Sequence, residues 1–91
     1  MSNLYTKDGV PLTVNGAAVF NRDGKHIGNI QGGRVFGPHG HYVGTVDGDR
    51  LVYRSVDSSA RGSVFAPQLG ARSAQAHAVR SAMWGDEPDI R

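Results

Sequence analysis

Four apolar pairs punctuate the first two thirds of the chain, each an aliphatic residue followed by an aromatic one. They are Leu4-Tyr5, Val19-Phe20, Val35-Phe36 and Val52-Tyr53, with the aromatics fifteen, sixteen and seventeen residues apart. Each pair runs into a polar turn. Three turns end in glycine, at Gly9, Gly24 and Gly40, and Asp57 holds that place in the fourth copy. A short apolar, β-branched stretch follows, such as Ile27-Gly28-Asn29-Ile30 or Val43-Gly44-Thr45-Val46. Shifted by sixteen residues, 19–34 overlies 35–50: Val19 meets Val35, Phe20 Phe36, Gly24 Gly40, Ile27 Val43, Gly28 Gly44, Ile30 Val46, Gly32 Gly48 and Arg34 Arg50. A fixed period of this kind is the signature of a repeat architecture.

The turns say what the repeat is. Glycine four residues past the aromatic suits a type I turn closed by a left-handed residue, because only glycine takes positive φ without steric cost. Between units lie Asn15-Gly16, Gln31-Gly32 and Asp47-Gly48, the two-residue hairpin signal that predicts type I′ turns. The two turn kinds alternate about every eight residues. The prediction is an all-β fold over 1–66: four consecutive β-hairpins, about eight short antiparallel strands, in a pseudo-fourfold arrangement. Arg61-Gly62-Ser63-Val64 serves as the degraded last strand, matched to Ile27-Gly28-Asn29-Ile30. Recurrent mid-strand glycine at Gly28, Gly44 and Gly62 predicts close approach by a bulky neighbour, the aromatic of an adjacent hairpin.

Pro67 ends the repeats, and 67–91 reads as a second region of linker, helix and acidic tail. Ser73 is placed to cap a helix over 73–84, alanine favours it, and Gly85 is placed to stop it. Its apolar stripe is thin: Ala76, Val79 and Met83.

Composition narrows the picture. Ninety-one residues without cysteine bury a modest core and have neither disulfide nor thiolate zinc site to staple it. Absence of cysteine and of a signal-like N-terminus makes a cytoplasmic location the expectation. No stretch approaches the roughly 20 apolar residues of a membrane span. Net charge is +2 with arginines scattered among aspartates, a solvated surface rather than a nucleic-acid footprint.

With these residues in view, LYTKDG, VFNRDGKHIGNI, RVFGPHGHYVGTV, DRLVYR and the later WGDEPDI resemble the small bacterial domain called the four-fold β-flower. The resemblance covers roughly residues 4 to 66, and the tail matches more loosely. It implies four hairpins set like petals around a pseudo-fourfold axis. The family is one of unknown function, so no catalytic residue carries over. The fourth unit departs from the pattern, since Ser55 to Ala60 replace the glycine turn.

Candidate chemistry is sparse. His39-Gly40-His41, with His26, is the most ligand-like group, because i and i+2 on a strand share a face that suits two imidazoles on a metal. Pro38 to Gly40 reads as a turn, however, and exposed turn histidines are the plainer reading. No nucleophile elbow and no acid pair at fixed spacing appears. Asp8, Asp23, Asp47, Asp49 and Asp57 fall in turns, where their side chains bond local backbone. Arg34 and Arg50 occupy equivalent positions, either as partners of an aspartate or a carbonyl, or as a symmetric grip on an anion. Tyr5, Phe20, Phe36 and Tyr53 are core residues unless the petals splay, when they would line pockets for a small apolar or chain-like ligand.

The reading is a non-enzymatic binding or assembly module without a cofactor. It self-associates, a dimer being favoured, with Met83, Trp84 and Ile90 at the interface. The alternative is a small-ligand protein using aromatic-lined grooves between hairpins. A histidine metal site or an enzyme stands third.

Overall fold

A computed structural model describes residues 2–67, 70, 76–88 and 90. Its core is a ring of strands: β1 (Ser2–Thr6), β2 (Pro11–Asn15), β3 (Ala18–Phe20), β4 (His26–Gln31), β5 (Arg34–Phe36), β6 (Tyr42–Asp47) and β7 (Arg50–Val52). Each pairs antiparallel with the next, and β1 pairs with β7, so the sheet closes into a barrel. Seven strands alternating in direction leave the first and last pointing the same way, so the seam must be parallel. It is, through Tyr5↔Arg50 and Thr6↔Leu51.

The sixteen-residue period is written in the register. Asn15↔Ala18, Gln31↔Arg34 and Asp47↔Arg50 pair alike, as do Val14↔Val19, Ile30↔Val35 and Val46↔Leu51. Val19, Val35 and Leu51 are each fully buried and Leu4 nearly so. With Leu12, Ile27 and Val43 they fill the barrel, and Val14, Ile30, Val46 and Ile90 pack against them. This register corrects the sequence alignment of the fourth unit. Leu51-Val52, not Val52-Tyr53, stands where Val35-Phe36 stands.

The glycine turns are as expected at Gly9, Gly24 and Gly40, with φ of +94°, +85° and +83°. The tight turns differ. Strands end at Asn15 and Asp47, and the loops are Gly16-Ala17 and Gly48-Asp49, with positive φ at the glycine alone. That is the φ pattern of a type II′ turn; only Gly32-Gly33, positive at both residues, fits type I′. Glycine is the first central residue, not the second.

The fourth hairpin is the main departure. Tyr53 and Asp86 exchange both backbone hydrogen bonds at 2.7 Å, and Gly85 has φ +125°. In the third hairpin Gly37 N donates to His41 O after Gly40, so Gly85-Asp86 takes the place of Gly40-His41. Residues 54–84 are thus an insertion inside the fourth turn. Asp57 lies outside that turn, in a short 3-10 helix (Ser55–Asp57), and 61–64 is not a strand of the fourth hairpin. Among the described residues no eighth strand follows Asp86: β1 already occupies the edge of β7, and Pro88 has no N–H to give a ladder.

The helix expected over 73–84 does not form over its described part. Residues 73–75 lie outside the described set, and 76–84 is irregular chain. The backbone donors it would need are used elsewhere, Ala78 N on Gly9 O and Ser81 N on Lys7 O. A stripe of three modest side chains buries too little to reverse that. Among the described residues no helix is long and apolar enough to cross a membrane.

The mid-strand glycines are confirmed as points of close approach, but chiefly to aliphatic neighbours. A Cβ on Gly28 would sit 2.5 Å from Val35 Cγ1, and one on Gly44 2.9 Å from Leu51 Cδ1. Only at Gly62 is the neighbour aromatic, the Phe36 ring.

Candidate functional site: the rim and its arm

In an up-and-down barrel the turns joining β1 to β2, β3 to β4 and β5 to β6 lie at one end and form its rim. The described parts of 61–90 make an arm on that rim, held by main-chain hydrogen bonds to the turn carbonyls. Gly62 N donates to Gly40 O, Gly70 N to Gly24 O and Ala78 N to Gly9 O, at 2.8–2.9 Å. Asp86 then reaches the fourth hairpin at Tyr53. The contacts at 62, 70, 78 and 86 are eight residues apart, and each falls on a different hairpin. Three residues after Gly62 and after Ala78 a second bond follows, Phe65 N to Pro38 O and Ser81 N to Lys7 O. Chain order on the arm runs opposite to hairpin order on the rim.

Side chains explain the small residues. A Cβ on Gly62 would lie 2.5 Å from the Phe36 ring, and one on Gly70 2.5 Å from the Phe20 ring. The arm comes so close to those aromatics that glycine is what fits. Phe65 does the reverse and fills a gap. Its ring stacks on His26 at 4.6 Å, and His26 on Phe20 at 5.0 Å. His26 is almost fully buried, its Nε2 donating to Asn29 Oδ1 at 2.8 Å and Gly28 O at 3.1 Å.

The arm's end crosses the rim. Glu87 accepts from Thr6 Oγ1 at 2.7 Å and from Asp8 N at 2.9 Å. Ile90 packs against the core, and Asn21 Nδ2 lies 3.5 Å from its carbonyl. An open cleft of about 410 Å³ remains there, lined by Val10, Asn21, Arg22, Asp23, Lys25 and Ile90.

The residues singled out in the sequence fall in different places. Phe20 and Phe36 are buried beneath the arm, whereas Tyr5 and Tyr53 are half-buried. Tyr5 lies under the Arg50 guanidinium at 5.6 Å, and Tyr53 packs on Tyr42 at 5.3 Å. None of these four lines the cleft. Arg50 also donates to Thr6 O at 3.3 Å, and Arg34 bonds Asp57 at 3.0 Å, so each arginine has a partner within the chain. His26 sits in its stack, while His39 and His41 are exposed on the third hairpin. Among the described residues no three metal-ligating side chains converge. Met83 is half-buried, Ile90 packs in cis, and Trp84 is 60% exposed with Arg54 stacked on it at 5.0 Å.

Sequence reading missed the arm. Its signal was present as small residues at Gly62, Gly70 and Ala78, eight apart, but that spacing matches neither a helix nor a strand period.

Asp57 anchors the chain just before the arm. Its carboxylate accepts from Thr45 Oγ1 at 2.8 Å and from Arg34, and Thr45 Oγ1 also bonds Tyr42 Oη at 2.6 Å. The Thr45 hydrogen bond first, then the Arg34 bond, hold the Asp57 carboxyl below the usual carboxylate range against a raising effect of desolvation. A lowered folded pKa contributes stability above the unfolded value, near 3.9, that is lost as pH falls through the folded one. Asp57→Asn is therefore expected to lower the urea midpoint at neutral pH, with the gap to wild type closing as the pH drops below about 4. A gap that stays constant across an acid series of urea titrations would count against this account.

Compared with family models, curated proteins and solved structures, the chain matches none of them.

Proposed function

We propose that the protein is a non-enzymatic assembly module that associates with a second copy of itself through apolar side chains presented after the barrel. One observation carries this reading. Among the described residues the exposed large hydrophobic side chains are Val56, Val64, Val79 and Trp84, at 60–84% exposure, and all follow the last strand. The barrel strands, by contrast, bury theirs. Single exposed apolar residues are ordinary, so the reading rests on their all lying in the one segment that follows the barrel.

Trp84 is the expected centre. Arg54 Nε donates to Trp84 O at 3.2 Å, and the Arg54 guanidinium bonds Asp47 at 2.8 Å while lying over the indole. The ring is thus held in place before any partner arrives, which lowers the entropy cost of using it. Tryptophan and arginine are both among the residue types enriched at interface hot spots. We extend the proposal to kinship with the four-fold β-flower, supported by the order and number of the four sequence units.

Sedimentation of the full chain is expected to show a dimer at tens of micromolar. Trp84→Ala is expected to weaken it by roughly 10- to 100-fold in Kd. A full chain that sediments as a monomer over that range would refute the reading.

A further inference from the structure

We propose that two copies assemble by exchanging their arms, so that the described parts of 61–90 of each chain dock on the rim of the other. This rests on the self-association proposed above and assigns its mechanism.

Three features point to it. First, the barrel is complete without the arm: β1 pairs with β7 and closes the ring within residues 2–52. The arm is an attachment, not a strand the sheet needs. Second, the arm is tied to the barrel by repeated, like contacts, one turn carbonyl after another at eight-residue spacing. An extended segment docked through its main chain and small side chains is recognised in the manner of a bound peptide. Third, the covalent tie is short and open. Asp57 is fixed to Arg34 and Thr45, Gly62 is fixed to Gly40, and Ser58 and Ser59 between them are exposed. Straightening 58–60 sends the arm away from its own rim with Asp57 still anchored.

Exchange keeps every rim contact, because each barrel still receives one arm. Swapping an identical element is for that reason a low-cost route to a dimer. The hinge contacts are local: Ser58 N donates to Ser55 O at 3.1 Å, Ala60 N to Asp57 O at 3.0 Å, and Arg61 to Ser58 O at 3.1 Å and Ala60 O at 2.9 Å, with Arg61 bridged to His41.

The chain has no cysteine, so introduced thiols report cleanly. Ser63 N lies 3.3 Å from Gln31 Oε1, joining arm to barrel at a surface position. In a Gln31→Cys, Ser63→Cys double variant, a short bismaleimide is expected to give mainly a covalent dimer on a denaturing gel. Gln31→Cys and Ser63→Cys single variants refolded together are expected to give a covalent heterodimer, and neither alone a product. If the double variant links within one chain and runs as a monomer while sedimentation still shows a dimer, exchange is overturned and self-association stands. If sedimentation shows a monomer and the link is internal, both proposals fall.

Discussion

Ending the chain after Trp84 is expected to lower the urea midpoint to about half its full-length value, although all seven strands remain. The lost residues, 85–91, supply the only bonds that close the fourth hairpin among the described residues, the Tyr53–Asp86 pair. They also supply Glu87, whose carboxylate holds both Thr6 Oγ1 and Asp8 N. Thr6 is fully buried, so its hydroxyl loses a charge-assisted acceptor, a loss of about 1.5–3 kcal/mol. Ile90 leaves the core it packs against, at about 1–2 kcal/mol for a half-buried aliphatic side chain. Together these approach half of the roughly 5–14 kcal/mol expected for a domain of this length. Ile90→Ala and Glu87→Gln are the companion variants, each expected to show a smaller share. A truncated chain with an unchanged midpoint would show that the crossing tail is ornamental and that the barrel stands alone.

How far the sequence revealed the fold depends on which forces wrote the pattern. The repeat was legible because every copy solves one problem twice over. A turn needs positive φ at Gly9, Gly24 and Gly40, and a strand needs an aliphatic residue at Val19, Val35 and Leu51. Both demands are local, so they leave local marks. The fourth hairpin was misaligned because its returning half lies thirty residues downstream, and Tyr53 resembles Phe36 more than Val52 does. Closure through a parallel seam was not legible either, since that pairing joins residues far apart and depends on strand number rather than residue type. The helix expected at 73–84 shows the same limit in reverse. Alanine content favours a helix when nothing competes, but here the turn carbonyls of Lys7 and Gly9 compete and win over the described part of that segment. Of the candidate sites, the aromatics and arginines were found as residues. Of what covers or pairs them, only the approach of Gly62 to an aromatic was legible, and Phe65, Gly70 and Asp57 were not.

Gly40→Ala and Gly9→Ala are expected to cost about 3 kcal/mol each and Gly16→Ala about 1, although all three sit at positive φ and pay the same backbone strain. The difference lies in what a Cβ would meet. At Gly16 it meets nothing within 4 Å. At Gly40 it runs into the Gly62 carbonyl, and at Gly9 into the Ala78 carbonyl. These are backbone atoms of the arm, with no rotamer to relax into, so overpacking of about 1–3 kcal/mol adds to the strain. Relief comes only if the arm lifts, and lifting breaks the bonds from Gly62 N to Gly40 O and from Ala78 N to Gly9 O. The two variants should therefore show a local signature besides the lowered urea midpoint. Amide exchange at Gly62 in Gly40→Ala, and at Ala78 in Gly9→Ala, should accelerate well beyond the change at β4 or β6. Equal midpoints for all three variants, or uniform loss of protection across the barrel, would mean that the arm does not press on the rim as described. Faster exchange confined to the arm would establish it as a separately opening unit, docked on a barrel that holds its own shape.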